Sequence, residues 1–228
     1  MKLLAIDTAT EACSVAVGID GAICERWREA PREHGDLVLG MVDEVLAEAG
    51  LDATGLDALV LGRGPGAFTG VRMAAGVVQG IAFGLDRPVL RVSTLAALAQ
   101  GGYRRTGEHA WLPAIDARMR EVYWGGYQVD DAGVARLVIA ETVSVPTAVE
   151  VPTTGAWHGI GSGWGTYAEI LAEQVGARLA RNLGHALPSA RDLLPAAVRA
   201  WEQGEAVAAD QALPVYLRDR VAEPARGR

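Results

Sequence analysis

An apolar run in the first third of the chain ends in a glycine- and proline-rich loop at 62–70, and a helical pattern follows over 70–84. This predicted helix carries Gly76, Gly80 and Gly84, one glycine every four residues. Residues four apart share a helix face, and each interior glycine costs about 1 kcal/mol relative to alanine. Three glycines on one face therefore predict that a second backbone packs closely there, because close packing offsets a cost of roughly 3 kcal/mol.

Two occupants of this glycine face are consistent with the sequence. One is the predicted helix at 36–49 of the same chain, and the other is a second protein. The apolar positions of the helix at 36–49 span about 200°, whereas one-sided packing on a sheet uses about half of that. The apolar surface beyond that half lies near Leu39, Leu46 and Ala49, and its burial requires contact with a further element or protein. The two alternatives are compatible, since both helices would then form half of an intermolecular four-helix bundle.

Large flexible side chains flank the glycine face. Met73 and Phe83 lie beside it, and methionine suits an adaptable contact surface. We therefore predict a partner surface on the two helices. Its residues are Leu39, Leu46, Ala49, Arg72, Met73, Gly76, Gly80, Phe83 and Gly84.

The composition excludes several classes of protein. The chain has 228 residues, half of them hydrophobic, and a formal charge of −7, which disfavours tight direct binding of nucleic acid by this chain alone. We find neither a signal peptide nor a run of about 18 apolar residues, so we expect no membrane contact and a cytoplasmic location.

A hairpin over 12–29 with an Asp-Gly turn places Val17, rather than Cys13, opposite Cys24, so no disulfide is expected.

Strand and helix patterns alternate after the initial hairpin, which is typical of an α/β fold with mixed sheets flanked by helices. The predicted strands of the first part lie at 2–7, 12–19, 22–29, 57–62 and 89–93, and its helices at 36–49, 70–84 and 94–104. A second part begins near residue 105, with strands at 110–116, 120–128 and 156–160 and helices at 164–175 and 189–203. We therefore predict two units, 1–104 and 105–228. No repeat at a fixed period is visible in the sequence.

Few residues carry the patterns of known chemistry. Asp7 ends the first predicted strand, and Thr8 and Thr10 follow it. An acidic and hydroxyl-rich turn at this place contacts phosphate and metal in actin-like nucleotide-binding folds, but the same residue types are ordinary turn formers. The loop at 62–70 lacks the lysine and spacing of a P-loop, so a rigid connector is favoured. The four histidines have no metal-ligand spacing. We expect no catalytic residue, no metal and no cofactor.

Five segments of the chain form a distinctive set: LAIDTATEACSVAV (4–17), LVLGRGPGAFTGVRMAAGVVQGIAFG (59–84), VSTLAALA (92–99), AIDARMREVYWGGY (114–127) and PVYLRD (214–219). Together they resemble the TsaB (YeaZ) family of bacterial tRNA threonylcarbamoyladenosine biosynthesis proteins. The combination of RGPGAFTGVR with IDARMREVY is the most specific part of the resemblance.

The resemblance implies an actin-like α/β fold with two lobes, related to sugar kinases and Hsp70. It also implies a non-catalytic subunit that pairs with a TsaD-type catalytic subunit, which holds a metal and transfers threonylcarbamoyl to adenosine 37 of certain tRNAs. A TsaE-type ATPase joins the assembly, and tRNA is reached only through the complex. The family's partner surface matches the helices at 36–49 and 70–84.

The chain departs from related patterns at three positions. The catalytic relatives carry paired histidines on their first helix. This chain has a single histidine there, His34, and a valine at the second position, Val38. Many members of the TsaB family have a histidine-serine pair where this chain has His34-Gly35. Ala67 replaces the serine of the family's GPGSFTG motif. The absence of the paired histidines favours a subunit that does not carry out catalysis.

Two other functions of the superfamily remain as alternatives. One is a glycoprotease-type metallopeptidase, which needs metal ligands that the sequence does not show. The other is an autonomous actin-like-fold kinase or ATPase, which needs phosphate-binding loops in both lobes, and only Asp7 is a candidate for one of them. A homodimer through the same two helices is expected when the partner is absent, because the apolar surface stays exposed.

Overall fold

The computed structural model describes residues 1–218, which form two five-stranded sheets. The sheet from the first part of the chain has the order β3-β2-β1-β4-β5, and the second has the order β10-β9-β6-β7-β8. The strands are β1 (Lys2–Asp7), β2 (Ala12–Ile19), β3 (Ala22–Glu29), β4 (Ala58–Gly62), β5 (Val89–Val92), β6 (Ala110–Asp116), β7 (Val122–Val129), β8 (Ala135–Ser144), β9 (Trp157–Gly161) and β10 (Leu179–Gly184).

Six α-helices connect and cover these strands in the described residues. They are α1 (His34–Glu48), α2 (Phe68–Leu85), α3 (Thr94–Thr106), α4 (Ser162–Thr166), α5 (Ala168–Val175) and α6 (Leu194–Glu202). The side chain of Ser93 caps α3 by accepting hydrogen bonds from the amides of Leu95 and Ala96. The predicted helix over 164–175 is two helices, because Tyr167 leaves the helical conformation between them.

The two sheets repeat one topology. In each, the first three strands in chain order pair antiparallel, and the last two pair parallel on the free side of the first strand. Strands β1 and β6 occupy equivalent central places, as do β4 and β9. The molecule is therefore a structural duplication, although the sequence shows no repeat.

The hairpin of β2 and β3 has the predicted register. Val17 lies opposite Cys24, and Cys13 lies opposite Arg28. The turn residues Asp20 and Gly21 have φ values of 47° and 94°, as a tight two-residue hairpin turn requires. Both cysteines are free.

Helices cover both faces of the first sheet. Leu4 and Ile6 of β1 share one core cluster with α1 and α2, whereas Leu3 and Ala5 share another with α3, α6 and the second sheet. Burial on both faces explains why β1 and β4 are almost continuously apolar. Helices α1 and α2 pack on the same face of this sheet, so they lie side by side on the outer face of the first lobe.

The boundary between the two predicted units falls near the end of α3, which continues to Thr106. After the second sheet the chain returns to the first one. Val207 pairs with Val89 of β5, and the amide of Val215 donates to the carbonyl of Arg63 at 2.9 Å. The division into 1–104 and 105–228 stays a prediction.

Helix α2 is long and apolar enough, by length and composition alone, to cross a membrane. It buries one face against the sheet through six residues, which include Val71, Ala74 and Val78. This packing identifies α2 as a helix of the α/β fold.

Candidate partner-binding surface

The three glycines of α2 face open space. A Cβ atom built on Gly76, Gly80 or Gly84 meets no group of residues 1–218 within 4 Å, and all three glycines are exposed. The alternative that α1 covers these glycines is therefore wrong for the described residues. We call Gly76, Gly80 and Gly84 the glycine stripe.

The opposite face of α2 fixes the direction of the glycine stripe. Val71, Ala74, Ala75, Val78 and Ala82 are buried against the first sheet. Three alanines among these five residues let the helix lie close to the strands. Because this face is buried, the stripe has to point outward.

Helices α1 and α2 touch near their N-terminal ends. A Cβ atom on Gly35 would lie 3.6 Å from the terminal methyl carbon of Met73. Gly40 of α1 is also exposed, and a Cβ atom built on it meets none of the described residues within 4 Å. The two helices thus present one joint surface with several positions that lack a side chain.

The predicted partner residues differ in exposure. Phe83 is 84% exposed and Leu39 is 57% exposed, which is high for such large apolar side chains. Arg72 is exposed as well, whereas Met73 and Ala49 are half-buried. An exposed phenylalanine next to helix positions that lack side chains is typical of a protein contact surface.

Leu46 corrects the prediction, because it is only 8% exposed and packs in the core of its own lobe. Helix α1 contacts both strands of the hairpin, β2 and β3, and the segment after the helix shares the same core through buried Leu56. The hairpin and the segment after α1 therefore both pack on the wide apolar face of α1. Leu46 does not belong to the exposed surface.

An arginine contacts two aromatic rings at the N-terminal end of the glycine stripe. The guanidinium carbon of Arg72 lies 3.4 Å from the ring centroid of Phe68 and 5.3 Å from that of Tyr216. The Nε group of Arg72 donates to the Tyr216 hydroxyl at 2.9 Å. We call these three residues the arginine cluster. The sequence did not point to it, since Tyr216 is 144 residues away from Arg72.

The candidate phosphate-contacting residues are enclosed. Asp7 is 1% exposed, and its carboxylate accepts from the Ala9 amide and from the Thr94 hydroxyl, each at 2.8 Å. Burial raises the pKa of Asp7 above its usual value, and the two hydrogen bonds oppose that shift. Thr8 donates its buried hydroxyl to the carbonyl of Gly70, and Thr10 accepts from the Ala12 amide.

The glycine-rich loop packs directly on the β1–β2 turn. A Cβ atom on Gly66 would lie 2.2 Å from the carbonyl oxygen of Ala9, and one on Gly70, in the first turn of α2, would lie 2.1 Å from that of Thr8. The amide of Ala67 donates to the carbonyl of Ala9 at 2.7 Å. The loop therefore needs glycine for close approach, and it connects β4 to α2 as a rigid element.

A cleft of about 630 Å³ opens between the lobes beside this loop. Its walls include Glu11, His34, Thr69, Asp116, Arg118 and Tyr216. His34 is 8% exposed, and its Nε2 atom has no hydrogen-bond partner in the described part of the chain. Residues 1–218 contain no group of three or more histidine, cysteine or acidic side chains arranged to hold a metal ion.

Comparison with known proteins identifies relatives over nearly the whole chain. A model of the family described as TsaD, tRNA N6-adenosine threonylcarbamoyltransferase, matches residues 28–226. The chain is 44% identical to the tRNA threonylcarbamoyladenosine biosynthesis protein TsaB of Escherichia coli, over 97% of this chain and 96% of that protein. It is 38% identical to TsaB of Haemophilus influenzae, over 97% and 95% of the two chains.

The same relationship holds in three dimensions. The solved structure of YeaZ from Pseudomonas aeruginosa matches with a TM-score of 0.89 at 51% identity, covering 95% of this chain and 99% of that one. The predicted actin-like α/β fold with two lobes is thereby confirmed. The chain belongs to the TsaB (YeaZ) family of tRNA threonylcarbamoyladenosine biosynthesis proteins, within the wider family that the threonylcarbamoyltransferase model describes.

Proposed function

We propose that this chain is a non-catalytic subunit that binds a TsaD-type catalytic subunit through α1 and α2. The observation that carries the proposal is the open glycine stripe, bordered by exposed Phe83 and with no neighbour of its own among residues 1–218. Helix backbones approach closely where side chains are missing, so a partner helix fits this groove. Two helices from each protein would then form a four-helix bundle.

The interior of the first lobe supports the absence of catalysis. Both carboxylate oxygens of Asp7 accept hydrogen bonds within the chain, and the hydroxyl of Thr8 is bonded to Gly70. The backbone of the glycine-rich loop lies directly over the β1–β2 turn, where a phosphate would need space. These contacts favour a structural role for Asp7 and Thr8, so the partner supplies the metal and the reacting groups.

The wider assembly follows from the same proposal. A TsaE-type ATPase joins the two subunits, and tRNA is bound by the complex rather than by this acidic chain alone, whose formal charge is −7. Without its partner the chain forms a homodimer through the same surface, because exposed apolar groups favour self-association. The complex acts in the cytoplasm, where tRNA is modified.

A Gly80→Leu variant tests the partner surface. The new side chain has open space in the monomer, so the protein should fold normally. It should no longer co-elute with the TsaD-type subunit in size-exclusion chromatography, because the leucine blocks approach of the partner backbone. Glu173→Leu is the matched control, since it adds the same side chain at an exposed position of α5 on the second lobe.

Three results would contradict the proposal. Co-elution of Gly80→Leu at the same concentrations as wild type would remove the stripe from the interface. Stoichiometric zinc or iron in the purified chain would revive the metallopeptidase alternative. Micromolar binding of ATP by the isolated chain, measured by calorimetry, would favour the kinase alternative.

A further inference from the structure

The arginine cluster continues the line of the glycine stripe. Phe68, Arg72, Gly76 and Gly80 follow one another at four-residue spacing, so they lie along the same side of α2. Phe68 is 50% exposed and Tyr216 is 47% exposed, so two aromatic rings and a cation share the end of this line. Tyrosine and arginine are enriched among the residues that dominate binding energy at protein interfaces.

The geometry holds the guanidinium of Arg72 in one orientation. Its central carbon lies over the Phe68 ring, and the Nε–H group donates a hydrogen bond to the Tyr216 hydroxyl. Neither Nη group donates to another residue of the described part of the chain. Those Nη groups are the donors that pair with a carboxylate or phosphate, and holding the side chain in advance lowers the entropy lost on binding.

The segment that carries Tyr216 is held at both ends. The amide of Val215 donates to the carbonyl of Arg63 in the first lobe at 2.9 Å. Arg218 donates to the carbonyl of Ala117 in the second lobe at 3.0 Å and pairs with Glu121. These contacts span both lobes, and they place the Tyr216 hydroxyl against Arg72 although the segment contains no strand or helix between Leu213 and Arg218.

We propose that Arg72, oriented by Phe68 and Tyr216, is the polar anchor of the partner interface and pairs with a carboxylate side chain of the TsaD-type subunit. The inference rests on the proposed function, because it concerns the same surface. A protein carboxylate is favoured over a tRNA phosphate, since the neighbouring stripe is uncharged and suits a helix. The segment at 213–218 then acts as the support that positions Arg72.

The experiment measures the affinity of the full-length chain for the TsaD-type subunit at two salt concentrations. Arg72→Gln should weaken binding at least about 30-fold and reduce the salt dependence, because the paired charge is lost. Arg72→Lys should restore only part of the affinity, since lysine lacks the planar fork. Tyr216→Phe keeps the ring but removes one hydrogen bond, and it should weaken binding about fivefold.

Arg136→Gln is the matched control, because Arg136 is an exposed arginine on β8 of the second sheet. It should leave the affinity unchanged. Acidic residues of the partner are then changed singly to their amides. One of these variants should show no additional loss when combined with Arg72→Gln, which identifies the paired carboxylate.

The outcomes separate this inference from the proposed function. If Gly80→Leu abolishes binding and Arg72→Gln leaves the affinity and its salt dependence unchanged, the surface is correct and the anchor is wrong. If both variants bind normally, the proposed surface itself is wrong. If Arg72→Gln weakens only the binding of tRNA by the assembled complex, the anchor contacts phosphate, and the carboxylate proposal is overturned.

Discussion

Asp7 shows how an acidic residue can serve the fold alone. It ends β1, and its carboxylate closes the following turn by accepting from the Ala9 amide while also holding Thr94 at the start of α3. A Cβ atom on Gly62 would lie 2.4 Å from one of its oxygens, so the neighbouring strand has to end in glycine. The residue type suggested phosphate or metal contact, whereas its surroundings favour a structural role.

An Asp7→Asn variant tests this role through the pH dependence of stability. The pKa of Asp7 is raised in the folded protein, so the folded state keeps a proton that the unfolded state has lost. The unfolding free energy of wild type therefore falls, relative to the variant, as pH rises from the usual aspartate value of 3.8 toward the raised one. Denaturant unfolding of both proteins between pH 4 and pH 7 measures the difference. A difference that does not change with pH would contradict the assignment.

Glycines in α2 and α3 have opposite surroundings, which explain their presence in different ways. Gly80 of α2 has empty space where a side chain would lie, whereas a Cβ atom on Gly102 of α3 would lie 2.6 Å from the ring of Trp111. Trp111 is fully buried and cannot move aside. Gly102 is therefore explained by packing within the chain. Gly80 has no such explanation, which is the reason for assigning it to an interface.

Alanine at these two glycines should change stability in opposite directions. Gly80→Ala should raise the free energy of unfolding by about 1 kcal/mol, because alanine favours the helix and meets no neighbour. The same change should weaken partner binding. Gly102→Ala should lower stability by about 1–2 kcal/mol through overpacking against Trp111. Thermal and urea unfolding give both values, and loss of stability in Gly80→Ala would show that the stripe is constrained within the monomer.

The two lobes are joined by a buried polar network. Glu141 of β8 accepts from Arg63 at 3.0 Å, from Tyr127 at 2.5 Å and also from Ser93, so it connects the second sheet to the loop after β4 and to the start of α3. Burial is the main cause that raises the pKa of Tyr127, and the nearby carboxylate adds to it. None of these residues lies on the partner surface.

Removing the central carboxylate should destabilise the whole molecule. Glu141→Ala leaves Arg63 without its partner in a largely enclosed place, so we expect a loss of about 3 kcal/mol in unfolding free energy. Glu141→Gln retains an acceptor and should lose less. Exposed Glu173→Ala serves as the comparison and should change stability by less than about 0.5 kcal/mol. Equal stability of Glu141→Ala and wild type would show that the network does not hold the lobes together.

Short-range features of this chain were predictable from sequence. The hairpin register at Val17 and Cys24 follows from the two-residue turn beside it. Gly76, Gly80 and Gly84 share a face because of helix periodicity alone. In these cases the interacting groups are a few positions apart, so local geometry is sufficient.

Contacts between distant segments decided the rest. Leu46 is buried because the hairpin and the segment after α1 enclose it, and Arg72 is oriented by Tyr216 from the other end of the chain. The duplicated sheets share a strand order without a visible sequence repeat, because topology depends on which strands pair and many apolar sequences satisfy the same pairing. Residue patterns thus predicted a shared glycine face on α2, and long-range packing determined that this face is exposed and which side chains lie beside it.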